Sequence, residues 1–133
     1  MVRFGVLISG SGTNLQAVID AIAAGMLDAQ VPIVVSSRPD AYGIERARAA
    51  GIEMLVLSRE TYADPRAADA RIVEALQRAG CDYVVMAGYM RKVTDAILDA
   101  FPDRVVNLHP ALLPAFKGAH AIQDAFDAGV KVT

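Results

Sequence analysis

The sequence predicts a doubly wound α/β domain on a mainly parallel, twisted sheet with strand order 3-2-1-4-5. Three observations lead there. Apolar runs at 4–8 and 83–87 are continuous instead of alternating, the pattern of strands buried on both faces. Between such runs lie segments of helical period, the first carrying Leu15, Val18, Ile19, Ile22 and Met26 on one face. Glycine, proline and helix-capping residues mark nearly every change from one pattern to the other. Strands that alternate with helices form parallel sheets joined by right-handed crossovers.

Taken in order, the first strand, 4–8, is followed by Ser9, Gly10, Ser11, Gly12, Thr13 and Asn14 and then by the first helix. Thr13 or Asn14 is expected to cap that helix. The second strand is expected at 31–35, with Pro32 tolerated at its beginning. A loop at 36–40 leads to an amphipathic helix with Ile44 and Ala47 inward, ending at Gly51. This helix receives no functional role. The third strand is expected at 54–57. Asp64 followed by Pro65 reads as an N-cap and a proline at the first helical position, opening a helix that stops at Gly80. The fourth strand covers 83–87. Thr94 caps a short helix that Pro102 ends, and the fifth strand follows at 104–108. A proline-pinned loop at 110–118 precedes a last helix around Ile122, Ala125 and Phe126.

The 133 residues form one domain, 1–133, large enough to bury a core. A hydrophobic content of 54% excludes a disordered chain. No apolar run approaches the roughly 20 residues of a bilayer span, and the start enters a strand without signal-peptide regions. A soluble, cytoplasmic protein with no membrane partner is expected. The net charge of −2 argues against nucleic acid, whose backbone calls for a basic surface. Cys81 is the single cysteine, so an internal disulfide and a cysteine-based metal cluster are both excluded, and no metal is expected. It reads as a small buried residue.

Parallel strands point one way, so the segments that follow them gather at one edge of the sheet. Three unusual segments converge there, in the crevice where the winding reverses. In the first, 9–14, glycines and free amides at a helix start favour an anion, with phosphate the natural guest. It is not a dinucleotide fingerprint, because Leu15 stands where the third glycine is needed and the second strand ends in Ser36 and Ser37 without an acid. The second segment, Gly88 to Val93, combines Met90 with Arg91 and Lys92; it reads as the floor of a pocket for a flat heteroaromatic ring or as a solvated turn. The third begins at Val105. Asn107 and His109 are separated by one residue on a strand, so they project to the same side. An amide there can donate to a developing oxyanion, and an imidazole can move a proton near neutral pH; alternatively both satisfy backbone groups at a strand end. His120 and Lys117 read either as crevice groups or as surface charges.

The motifs Ile-Ser-Gly-Ser-Gly-Thr-Asn-Leu-Gln at 8–16, Glu-Arg-Ala at 45–47, Ala-Gly-Tyr-Met-Arg at 87–91 and Asn-Leu-His-Pro-Ala-Leu-Leu-Pro at 107–114 give the chain a resemblance. Along its whole length it resembles the folate-dependent formyltransferases, and within them the glycinamide ribonucleotide branch. The resemblance implies a three-layer Rossmann-like formyltransferase fold and transfer of a formyl group from 10-formyltetrahydrofolate, as co-substrate, to the amine of 5′-phosphoribosylglycinamide in purine synthesis. It implies that Gly12, Thr13 and Asn14 contact the ribonucleotide. Arg66, Met90, Arg91, Lys92, Val93 and Asn107 are implied to line the folate site, with Asn107 and His109 catalytic.

In the resembling family a catalytic aspartate lies beyond the position of Thr133. The chain is therefore expected to correspond to the N-terminal two-thirds of such an enzyme, with the sheet truncated at its C-terminal edge. By itself it is expected to be weakly active, and to self-associate or pair with the later segment. Two other functions compete. One is hydrolysis of formyltetrahydrofolate with water as acceptor. The other is a non-catalytic nucleotide-binding module in which Arg38 takes the 2′-phosphate of NADP.

Overall fold

The computed structural model describes residues 1–108. Its elements are β1 (Val2–Ile8), α1 (Thr13–Ala23), β2 (Ala29–Gln30), β3 (Ile33–Ser36), α2 (Gly43–Ala49), β4 (Glu53–Val56), a 3-10 turn (Thr61–Ala63), α3 (Pro65–Arg78), β5 (Tyr83–Ala87), α4 (Asp95–Ala100) and β6 (Val105–Leu108). The sheet runs β4-β3-β1-β5-β6, with the short β2 also paired to β1. All pairings are parallel. The path is the expected 3-2-1-4-5 order with one small strand added.

That added strand corrects the second strand expected at 31–35. Pro32 has no N–H to give a ladder, so the chain pairs as Ala29–Gln30 before it and Ile33–Ser36 after it. Met26 is also corrected. It lies beyond the end of α1 and is exposed, because the chain has turned away by then.

Alternation along β1 divides the interior into two cores. Phe4, Val6 and Ile8 join Leu15, Val18 and Ala21 of α1 and Ala47 of α2 on one face. Leu7, Ile33 and Val35 join Ile72 and Leu76 of α3 and Ile97 of α4 on the other. The result is three layers, helix on sheet on helix. At about 25 cal/mol per Å² of apolar surface buried, side chains of this size contribute roughly 1.5–3 kcal/mol each. Fully buried Phe4, Leu7, Ile8 and Leu15 therefore anchor the strand and helix that flank the glycine loop.

Two expected caps are in place. The Asp64 side chain accepts from the amide of Ala67 with Pro65 at the first helical position, and Thr94 accepts from the amide of Ala96. Among the described residues no helix is long and apolar enough to cross a membrane.

Candidate functional site

The loop between β1 and α1 is shaped by its backbone. Gly12 has φ 76°, a left-handed conformation that side chains resist. A Cβ there would also lie 2.5 Å from the Cα of Gly43, the first residue of α2. The expectation that Thr13 or Asn14 caps α1 is thereby corrected. Gly12 is the N-cap residue and no side chain caps the helix. The left-handed turn already places Thr13 and Asn14 inside the helix. The Gly12 carbonyl accepts from the amide of Gln16 at 2.8 Å, which leaves the amides of Thr13, Asn14 and Leu15 without an intrahelical acceptor. Asn14 is buried, and its Oδ1 has no hydrogen-bond partner among the described residues.

Helix α2 clamps this loop, a contribution missing from its reading as an ordinary amphipathic helix. The Gly43 amide donates to the carbonyl of Gly10 at 3.0 Å. Arg46 donates through Nε to the carbonyl of Ser11 at 2.7 Å and lies over the ring of Tyr42. The arginine in the Glu-Arg-Ala motif was the available signal. Only the fold shows that its target is the loop carbonyl. Gly10 is different from Gly12, since a Cβ there would meet nothing within 4 Å.

Gly12, Thr13 and Asn14 are brought together in a cavity of about 280 Å³ that also includes Ser9, Arg38, Ala87, Gly88 and Met90. Arg66, Arg91, Lys92 and Val93 are brought together in a second cavity of about 530 Å³, with Tyr62, Pro65 and Asp95. Met90 belongs to the first cavity and not the second, and its side chain is 83% exposed. Asn107 sits half-buried on β6, opposite Met86 of β5, and lines neither cavity. The expected positions of His109, Lys117 and His120 lie outside the described residues, as do the 110–118 loop and the last helix.

The segment after β5 is held by side chains from elsewhere in the chain. The Met90 amide donates to Ser9 Oγ at 2.8 Å, and Ser9 Oγ lies 2.5 Å from Ser37 Oγ. The Thr94 amide donates to Oδ2 of Asp69, a buried residue of α3, at 2.7 Å. Tyr62 and Tyr89 share a hydroxyl hydrogen bond at 2.7 Å, and the Arg91 guanidinium lies 4.3 Å from the centroid of the Tyr62 ring. Burial raises the phenol pKa of both tyrosines above the ordinary value, so they stay neutral donors and acceptors. Ser9, Ser37, Tyr62 and Asp69 were not identified from sequence. Ser9 lies in the 8–16 motif, but its role there, like those of the other three, is to act on a segment 25 or more residues away.

Arg38 is held in a two-point ion pair with Asp40, Nε to Oδ1 and Nη2 to Oδ2, both at 3.0 Å. Cys81 is partly buried, and burial pushes its thiol up to about 11, which keeps it a poor nucleophile at neutral pH. Among the described residues no group of three or more His, Cys, Asp or Glu side chains could hold a metal ion.

The arrangement sets a helix start whose first-turn amides lack intrahelical acceptors in one cavity, and Arg66, Arg91 and Lys92 beside Pro65, Val93 and Asp95 in the other. A family model described as formyl transferase matches residues 2–133. The phosphoribosylglycinamide formyltransferase of Haemophilus influenzae is 40% identical over 129 residues, covering 97% of this chain and 61% of that protein. Its counterpart in Bacillus subtilis is 37% identical over 132 residues, covering 99% of this chain and 68% of that one. The crystal structure of glycinamide ribonucleotide transformylase 1 from Symbiobacterium toebii superposes with a TM-score of 0.79 at 51% identity, covering 98% of this chain and 62% of that chain. This chain thus spans about three-fifths of the length of the Haemophilus and Symbiobacterium proteins. It belongs to the formyl transferase family.

Proposed function

We propose that this member of the formyl transferase family carries the substrate-binding face of a phosphoribosylglycinamide formyltransferase. The reaction moves the formyl group of 10-formyltetrahydrofolate to the amine of 5′-phosphoribosylglycinamide, in purine synthesis. The observation that carries the reading is the pairing of two unlike cavities at one sheet edge, joined by the segment Gly88 to Val93. The 9–14 loop presents helix-start amides to a phosphate, with Gly12 shaping the turn and Thr13 and Asn14 at the ribonucleotide. Arg66, Arg91 and Lys92 present cations to the carboxylates of a folate tail, Arg66 giving up a loose 3.8 Å pairing with Asp95, beside the apolar surfaces of Pro65 and Val93. The alternative in which Arg38 takes the 2′-phosphate of NADP requires the arginine to leave its two-point pair with Asp40.

In this reading the substrate amine attacks the formyl carbon, forming a C–N bond and a tetrahedral oxyanion. The Asn107 amide donates to that oxygen and His109 stabilises it as imidazolium. As the bond from the formyl carbon to the folate nitrogen breaks, His109 helps protonate that nitrogen, and the proton lost by the attacking amine makes good the one given. Both assignments rest on the Asn-x-His pattern and the resemblance. Small-molecule substrates are the partners, and a cytoplasmic setting belongs to the same proposal.

The test is formyl transfer by a chain extended to the length of its relatives, with and without ribonucleotide. Formyl transfer to the ribonucleotide is expected, and Asn107→Ala should lower kcat by about 10²–10³-fold with small changes in substrate affinity. Release of formate at the same rate without the ribonucleotide would establish hydrolysis instead. A variant losing affinity at unchanged kcat would move Asn107 from catalysis to binding.

A further inference from the structure

One buried contact ties the glycine loop to the segment that follows β5. Ser9 follows β1 directly, Ser37 follows β3 directly, and each is 2% exposed. Their hydroxyl oxygens lie 2.5 Å apart, and the Ser37 amide donates to the carbonyl of Ile8 at 2.9 Å. Ser9 Oγ also accepts from the Met90 amide at 2.8 Å. Three strand-end segments thus meet at one hydroxyl. Ser9 is the residue before Gly10 of the anion loop, and Met90 begins the stretch leading to the Arg91–Lys92–Val93 wall of the second cavity.

Serine is an unusual choice for such a position on packing grounds alone, since its neighbours Leu7 and Ile8 are fully buried apolar residues. A buried hydroxyl is costly unless bonded, and here it is bonded to a backbone amide and to another hydroxyl. The Ser9 hydroxyl is thus the direct link between the residue preceding the glycine loop and the backbone of Met90.

We propose that Ser9 is a positioning residue that couples the glycine loop to the Met90 segment, so that occupancy of the loop orders the residues leading to the second cavity. The inference rests on the ribonucleotide reading above. Its value for catalysis lies in orientation, because transfer between two bound substrates depends on holding amine and formyl carbon at near-attack distance. Ser37 backs Ser9 from the side of β3.

The experiment is amide hydrogen exchange on the purified protein, with and without saturating glycinamide ribonucleotide, in wild type, Ser9→Ala and Ser37→Ala. In wild type the ligand should slow exchange both at the first-turn amides of α1 and at Met90. In Ser9→Ala the α1 protection should persist, while the Met90 amide exchanges about tenfold faster or more and no longer responds to the ligand. Ser37→Ala should show the same loss in smaller degree, and it decides the matter if Ser9→Ala does not fold. Retained ligand protection at Met90 in these variants overturns the proposal. Protection of α1 without protection of Met90 in wild type overturns it while sparing the ribonucleotide reading. Absence of α1 protection in wild type overturns both.

Discussion

The two segments that shape the site are held by opposite means. The 9–14 loop is held by backbone: a left-handed glycine, a glycine-on-glycine contact with α2, and carbonyls of Gly10 and Ser11 that accept from Gly43 and Arg46. The segment from Tyr89 to Thr94 is held by side chains, through Ser9, Tyr62 and Asp69, with Arg91 stacked on Tyr62. A loop that must aim its amides at an anion gains from a fixed backbone with few side chains in the way. A wall that must present side chains gains from anchors placed behind it. The difference implies different weaknesses. The first segment should fail when atoms are added, and the second when polar atoms are removed.

The largest effect should come from adding one methyl group to the first segment. Gly12→Ala combines a disfavoured left-handed φ with a Cβ 2.5 Å from backbone of α2, so a loss of about 2–4 kcal/mol is expected in chemical denaturation. Gly10→Ala meets open space and should cost less than about 0.5 kcal/mol, so a difference seen there would be in ligand affinity. Equal stability of the two variants would break the comparison.

In the second segment, Asp69→Ala should cost about 1–3 kcal/mol, because the half-buried Thr94 amide loses its acceptor. Hydrogen exchange should localise the loosening to residues near Thr94. An unchanged exchange pattern would remove Asp69 from the anchoring role.

Smaller still is Tyr89→Phe, at about 0.5–1.5 kcal/mol, since it leaves the Tyr62 hydroxyl without its partner. It carries a pH signature. Both phenols have raised values in the folded state, chiefly from burial, so the folded protein holds their protons where the unfolded chain has released them. Their contribution is complete below pH 10, the ordinary phenol value, and is lost as pH rises above it. The alkaline fall in stability should be shallower in Tyr89→Phe, and an identical slope would show that these phenols do not control it.

The contrast also explains what was legible in the sequence. Glycine, proline and continuous apolar runs have local conformational causes, so the strand order, the caps at Asp64 and Thr94, and the glycine loop were all readable. Pro32 is compatible with a strand start, but the hydrogen bond it denies the ladder splits the run into β2 and β3, which only the pairing shows. The capping role given to Thr13 or Asn14 failed for a tertiary reason: the turn at Gly12 is packed against Gly43, which no neighbouring residue reveals. The roles of Ser9, Ser37, Asp69 and Tyr62 were not readable because each partner lies far along the chain. A buried serine or aspartate shows its purpose only when its acceptor atoms find their donors.

The central claim is that the glycine loop binds the phosphate of a ribonucleotide, and calorimetric titration tests it most directly. Glycinamide ribonucleotide, the same compound without its phosphate, and NADP should be titrated separately into the protein. The account predicts saturable binding of the ribonucleotide, a loss of about tenfold or more when the phosphate is removed, and no binding of NADP. Equal affinity for the phosphorylated and dephosphorylated compounds, or binding of NADP with none of the ribonucleotide, would contradict it.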